Sequence, residues 1–231
     1  MLIIAHRGSS GREPENTLLA FKAAIAESAD IIEADVHLCS TFQLVVIHDD
    51  TVERTTDGTG AVEELSILEL RRLNAGKGEK IPLLQEVIEL ARGNAKLMIE
   101  LKSKGCARPV AEEIEKNVKT EKNTYSDFIV TSFSVQELKD FKKYSSFVQT
   151  GFIYDSPRID IETVFKEIRP NYMLPAKKFV NEERMKLFSK LGLKVFPWVV
   201  NEIEEKNRLE RLGVDGIVTD FPNLFKAGPS E

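Results

Sequence analysis

The 231-residue chain has few of the residues that staple small folds or carry redox chemistry: two cysteines, Cys39 and Cys106, one tryptophan and three histidines. Two cysteines are too few for a disulfide framework and are read as free thiols of a reducing compartment. No apolar run approaches the ~18–20 residues that a membrane span needs. Met1 leads directly into the apolar segment Leu2–Ala5, which leaves no room for a secretion signal. A soluble cytoplasmic protein without membrane insertion is expected. A basic excess is missing too: 32 Lys and Arg face 37 Asp and Glu, giving a net charge of −5 and a pI near 5.5. A binder of phosphate backbones would carry a basic stripe, so nucleic acid is not an expected partner. Nothing in the sequence reports an oligomeric state.

What the chain does have is alternation. Strand-like runs fall at Leu2–Ala5, Ile31–Val36, Leu97–Leu101, Phe128–Thr131, Val148–Ile153, Tyr172–Leu174, Lys194–Val200 and Gly216–Thr219. Between them lie amphipathic helical patterns at Pro14–Ala29, Leu83–Arg92, Val110–Val118, Val135–Tyr144, Ile161–Ile168, Glu182–Leu191 and Glu202–Leu212. Gly93, Gly192 and Gly213 stand where helix C-termini favour glycine. Eight strands alternating with helices predict an α/β fold, a (β/α)8 TIM barrel filling the chain as a single domain. An open doubly wound sheet is the competitor. The barrel is favoured because polar residues end several different strands and would converge on one mouth.

Leu44–Ile47 breaks the rhythm. It is strand-like but follows Ile31–Val36 by only about seven residues, too few for a parallel crossover of about a dozen. A hairpin rising above the mouth and returning is expected, bringing His48 beside Asp35. Residues 49–80 follow as an inserted excursion over the mouth, with Arg54-Thr55-Thr56-Asp57-Gly58-Thr59-Gly60 and a helix-like Leu65–Leu73. Residues Ala227–Glu231 are expected to be a frayed tail.

All three histidines lie within the first 48 residues of the chain: His6 in A-H-R-G, His37 after I-E-A-D-V, and His48 in V-V-I-H-D-D. Side chains alternate along a strand, so Glu33, Asp35 and His37 share one face. Two carboxylates pointing together into a mouth repel unless paired. A hard divalent cation, Mg²⁺ or Ca²⁺, would offset that repulsion, and so would ion pairs to Arg7 or Lys102. Glu100 and Lys102 in I-E-L-K repeat the device, either as a third metal carboxylate with an anion contact or as a structural ion pair. His6 is a hydrogen-bonding residue or a proton carrier, and Arg7 suits phosphate. His37 is assigned structural or surface duty. Phe133 and Trp198 belong either to the core or to a pocket wall. Asp220 and Pro222 are given only the bracing of the last loop.

These pieces, with P-E-N-T, I-P-L-L-Q-E-V, T-S-F, W-V-V-N and D-G-I-V-T-D-F-P, occur in an order and spacing that covers nearly the whole chain. The sequence resembles the glycerophosphodiester phosphodiesterases, metal-dependent (β/α)-barrel enzymes. The resemblance implies hydrolysis of a glycerophosphodiester, such as glycerophosphocholine or glycerophosphoethanolamine, to sn-glycerol 3-phosphate and an alcohol. It places metal carboxylates at Glu33, Asp35 and Glu100, catalytic histidines at His6 and His48, and phosphate contacts at Arg7 and Lys102. Phe133 and Trp198 match positions lining the glycerol pocket, and Glu15 and Asn16 match an element read as bracing the mouth. One departure stands out. The family usually has a T-x-D-G turn after the second strand, and this chain reads Cys39-Ser40-Thr41-Phe42-Gln43. Without the glycine a different hairpin tip is expected, with Phe42 exposed or packed on the insertion.

In the expected mechanism His6 is the base, His48 protonates the leaving alkoxide, and the nucleophile is water or the glycerol 2-hydroxyl. A second reading is a lysophospholipase D or phospholipase C-like action on lysophospholipids, which calls for an apolar groove or patch near the mouth. A third is a non-catalytic phosphate-ligand binding barrel, which predicts the loss of a histidine or a carboxylate that this chain retains.

Overall fold

A computed structural model describes residues 1–226, and the tail expected at Ala227–Glu231 lies outside the described residues. The strands are β1 (Leu2–Ala5), β2 (Ile31–Leu38), β3 (Leu44–Val46), β4 (Lys96–Leu101), β5 (Phe128–Ser132), β6 (Gln149–Tyr154), β7 (Tyr172–Pro175), β8 (Lys194–Val195) and β9 (Gly216–Thr219). All but β3 run parallel, in the neighbour order β8-β7-β6-β5-β4-β2-β1-β9. Backbone bonds draw the two ends of this order together. Asp215 N–H donates to Val195 O (3.1 Å), Val218 N–H to Pro197 O (2.9 Å) and Val200 N–H to Val218 O (2.8 Å). The chain is the expected barrel, not an open sheet.

Ile4, Ile31, Met98, Ile129, Leu174 and Phe196 fill the barrel interior. The two-residue period of a strand then dictates what emerges above them: His6 after Ile4, Glu33 and Asp35 after Ile31, Glu100 after Met98. A second, larger core lies between the strands and the helices α1 (Leu18–Ala26), α2 (Ile67–Leu70), α3 (Leu84–Ala91), α4 (Ala107–Lys119), α5 (Val135–Tyr144), α6 (Ile161–Ile168), α7 (Glu182–Lys190) and α8 (Ile203–Arg211), of which α2 belongs to the inserted segment instead. Phe21 on α1 is fully buried there, a burial that contributes roughly 1.5–3 kcal/mol.

Several boundaries differ from the sequence reading, each for a physical reason. The first helix begins at Leu18, capped by Thr17, and not at Pro14, because Asn16 adopts φ +57° and spends its side chain on Asp35. It stops at Ala26, since Ser28 is left-handed (φ +61°). The eighth strand stops at Val195, not Val200, because Pro197 has no N–H to add to the ladder. In the insertion only Ile67–Leu70 is helical, a single turn held by a Ser66/Glu69 capping box. α4 starts three residues early, at Ala107, because the buried Glu137 carboxylate accepts from Gly105 and Ala107 N–H.

β3 pairs antiparallel with β2, with Val36 opposite Val46 and Leu38 opposite Leu44. Ile47 N–H then donates to Asp35 O (3.0 Å), so the hairpin returns His48 to the mouth. The inserted segment packs against the hairpin in a small core of its own that includes Val45, Val52, Val62, Leu70 and Ile81. Ion pairs Lys77–Glu13 (2.6 Å) and Arg71–Glu86 (2.6 Å) tie it to the barrel.

At the hairpin tip Phe42 N–H donates to Cys39 O (2.9 Å) while Phe42 itself sits at φ +62° and is 80% exposed. The left-handed position that a glycine would occupy is therefore kept, and a bulky residue bears its cost of roughly 1–2 kcal/mol. Phe42→Gly relieves that strain and gives back roughly 0.5–1 kcal/mol in chain entropy. The variant should be slightly more stable in urea unfolding, by less than about 1 kcal/mol; a clear loss of stability means that the Phe42 ring contributes packing.

Candidate active site

The mouth is built first by the turn after β1. His6 N–H is held by Thr219 O (2.9 Å), and Arg7 and Gly8 take φ +56° and +83° in succession. A Cβ on Gly8 would lie 2.6 Å from the carbonyl carbon of Ala20, so only glycine lets this turn rest on α1. His6 Nδ1 meets Asp220 Oδ1 at 2.7 Å. Burial works to raise the Asp220 carboxyl, but hydrogen bonds from His6, Asn201 Nδ2 (2.7 Å) and Ser10 Oγ (3.0 Å) bring it down to about 2. An ionised carboxylate only accepts, so Nδ1–H of His6 is the donor and Nε2 is left for a substrate. Asp220, read from sequence as a brace of its loop, thus touches the ring of a candidate proton carrier.

Glu33, Asp35 and Glu100 present oxygens within 4.8 Å of one another, and all three residues are buried. Glu33 Oε2 accepts from Arg7 N–H (2.9 Å), while its Oε1 is buried without a partner. Burial and the charges of Asp35 and Glu100 push the Glu33 carboxyl well above its ordinary range. Burial and Asp35 likewise lift Glu100 to about 7, although Lys102 Nζ bonds its Oε1 at 2.8 Å. Asp35 behaves oppositely. Burial would raise it, but Lys102 (3.5 Å), Arg7 Nε (3.1 Å) and the Asn16 amide (2.8 Å) hold it below its usual range. Arg7 Nε contacts Asp35 without hydrogen-bond alignment. The orphaned oxygen, the all-oxygen donor set and the two raised carboxyls suit a hard divalent cation.

His48 comes from the hairpin return. Its Nδ1 bonds Asp49, which Arg54 grips through Nε (2.6 Å) and Nη2 (3.0 Å). Burial, helped by the Arg7 and Lys102 charges and opposed by Asp35 and Asp49, keeps the His48 ring below its ordinary value. His37 is buried and its Nε2–H donates to His48 O (3.1 Å), so it fixes the backbone beneath His48. Glu15 and Asn16 lie where bracing was expected: Glu15 accepts from Arg7 Nη1 (2.9 Å), and Asn16 holds Asp35.

His6, Arg7, Glu33, His48, Glu100, Lys102, Phe133 and Trp198 line one cavity of about 110 Å³. Asp35 lies behind them, fully buried. The far wall is apolar, with Met98, Ile153, Leu174 and Val218, and Phe133 meets Trp198 edge-on at 5.6 Å. Trp198 Nε1–H is fixed on Leu174 O (2.8 Å). One side of the cavity can thus hold charge, and the other an uncharged carbon skeleton. Sequence reasoning gave no site role to Asp49, Arg54 and Asn201, and gave Asp220 only the bracing of its loop. Adjacency to His48 could have flagged Asp49; nothing local flags Asp220, 214 residues from His6.

The model of the glycerophosphoryl diester phosphodiesterase family matches residues 6–224. A glycerophosphodiester phosphodiesterase of Caldanaerobacter subterraneus subsp. tengcongensis is 38% identical over 240 residues, covering 98% of both chains. One of Bacillus altitudinis is 33% identical, covering 96% of this chain and 95% of that one. Among solved structures, an Oleispira antarctica phosphodiesterase in complex with the product sn-glycerol-3-phosphate superposes with a TM-score of 0.90 at 26% identity, over 97% of this chain and 94% of that one. With the barrel and its mouth, these matches establish that the chain belongs to the glycerophosphoryl diester phosphodiesterase family and is a phosphoric diester hydrolase.

Proposed function

We propose that the chain acts in the cytoplasm on glycerophosphodiesters such as glycerophosphocholine and glycerophosphoethanolamine, releasing sn-glycerol 3-phosphate and an alcohol. The observation that carries this reading is the convergence in one cavity of two aspartate-backed histidines, two cations and a cluster of buried carboxylates. The product bound by the Oleispira relative supports the glycerol phosphate half of the substrate.

Glu33, Asp35 and Glu100 would hold Mg²⁺ or Ca²⁺, which supplies Lewis acidity toward a phosphate oxygen. Arg7 and Lys102 bind the phosphate and offset the charge that builds on it. His6 Nε2 takes the proton of the nucleophile, either water or the glycerol 2-hydroxyl. His48 gives a proton to the departing alkoxide. Phe133 and Trp198 hold the glycerol carbons against the apolar wall. Trapping a cyclic glycerophosphate identifies the 2-hydroxyl as the nucleophile.

His6→Ala and His48→Ala should each lower turnover of glycerophosphocholine by about 10²- to 10⁴-fold. Near wild-type rates in both variants would end the two-histidine scheme.

EDTA should abolish phosphate-ester release, and activity indifferent to chelation removes the ion from the account. Below about pH 7 Glu100 carries a proton that an incoming cation must displace. Mg²⁺ or Ca²⁺ affinity should therefore rise as pH climbs through 7, with proton release visible by calorimetry in buffers of different ionisation enthalpy. Binding without proton release contradicts the assigned ligands.

An acid must be protonated, so activity falls as pH rises through its pKa. In the free protein His48 is held low, while a bound phosphodiester anion offsets Arg7 and Lys102 and lifts it. The alkaline limb of kcat should lie at higher pH than that of kcat/KM. Coincident limbs would contradict a bound anion acting on the titrating acid through Arg7 and Lys102.

A further inference from the structure

The inserted segment sends one side chain back to the mouth, and its hydrogen bonds join the two halves of the site. Arg54 Nη1 and Nη2 donate to Glu15 Oε2 and Oε1, both at 2.8 Å. Its Nε and Nη2 donate to Asp49 Oδ2 and Oδ1 at 2.6 and 3.0 Å. One guanidinium thus makes two forked pairs. Glu15 in turn holds Arg7 Nη1, and Asp49 holds His48 Nδ1. The order Arg7–Glu15–Arg54–Asp49–His48 runs unbroken from a phosphate-side cation to an imidazole across the rim of the cavity.

We propose that Arg54 is a positioning residue for the hydrolysis, setting the His48 ring through Asp49 and the Arg7 side chain through Glu15. The proposal rests on the roles assigned above to His48 and Arg7. Only a planar fork of fixed donors can serve two carboxylates at once; the ammonium of a lysine would supply the charge but not the geometry. Stability is not what the arrangement chiefly provides. The Arg54 side chain is 47% exposed, and ion pairs so exposed add little to folding. What it adds is direction. Without it Glu15 and Asp49 turn toward water, and the two groups that they hold follow. Arg54 is not among the residues that line the cavity, so its effect passes through its two carboxylate partners.

Steady-state kinetics on glycerophosphocholine with Arg54→Ala and Arg54→Lys test this. Both variants should keep the wild-type thermal midpoint to within a few degrees. Both should lose about 10- to 100-fold in kcat, the cost of a misplaced reacting group, with a smaller rise in KM. Methylguanidinium added to Arg54→Ala should restore part of kcat, because the site it vacates opens to water, and should not help Arg54→Lys. By NMR the downfield Nδ1 proton of His48 should weaken in both variants, a change that loss of a surface ion pair alone would not produce. Wild-type kcat in either variant, or a kcat loss with an unchanged His48 resonance, overturns the proposal. If Arg54→Ala unfolds, it is replaced by Glu15→Gln in the Arg54→Lys background, where equal losses in single and double variants support one shared unit and additive losses oppose it; if Arg54→Lys unfolds, Glu15→Gln and Asp49→Asn take its place under the same rule. If wild-type protein does not cleave glycerophosphodiesters, it is the reading of the substrate that fails; an active wild type with indifferent Arg54 variants fails this inference alone.

Discussion

Mutual repulsion among Glu33, Asp35 and Glu100 governs the mouth of this barrel. Like charges about 4 Å apart repel by on the order of 4 kcal/mol at the effective dielectric of a partly wet site. The fold answers in three ways at once. Glu33 and Glu100 are pushed toward their neutral forms, Arg7 and Lys102 are drawn in as counter-charges, and Asn16 satisfies Asp35, which stays ionised. Each answer recruits a different part of the chain, so β1, β2, β4 and the turn before α1 are held together by one electrostatic problem. A divalent cation held by these three carboxylates would answer the same repulsion, since it would supply positive charge to all of them.

The two histidines show a parallel economy. Each presents Nδ1 to an aspartate, which settles the tautomer and leaves Nε2 toward the cavity. The aspartates differ in what surrounds them. Asp220 is bound by the neutral Ser10 and Asn201, whereas Asp49 shares its charge with Arg54. The two imidazoles therefore rest on differently charged surroundings, one aspartate held by neutral donors and the other by a guanidinium.

Much of this was legible in the residues. α5 and α6 fall at the expected bounds because periodicity, an N-capping Ser134 or Asp160 and a clear stop agree with one another. The hairpin and the return of His48 followed from a connection too short for a parallel crossover. Glu33, Asp35, Glu100 and Lys102 followed from alternation along two strands. Tertiary effects stayed hidden: the Glu137 cap that extends α4 and the claim of Asp35 on Asn16 that delays α1. The missing N–H of Pro197, which truncates β8, was by contrast readable in F-P-W. Asp220 was hidden for the same reason, since its meeting with His6 exists only once the barrel closes.

The hairpin separates two properties that loops usually confound. His48 is placed by pairing at the hairpin's base, where Ile47 is hydrogen-bonded to Asp35, while the tip at Cys39–Gln43 meets neither the cavity nor its ligating groups. The tip meets the inserted segment instead, through Ser40 N–H on Leu65 O and Ile67 N–H on Thr41 Oγ1, both at 3.0 Å, and doubling its length would cost only about 0.6 kcal/mol in closure entropy. There the exposed Phe42 occupies a left-handed position without disturbing His48, which makes Phe42 itself a natural point of divergence or of grafting in an otherwise constrained enzyme.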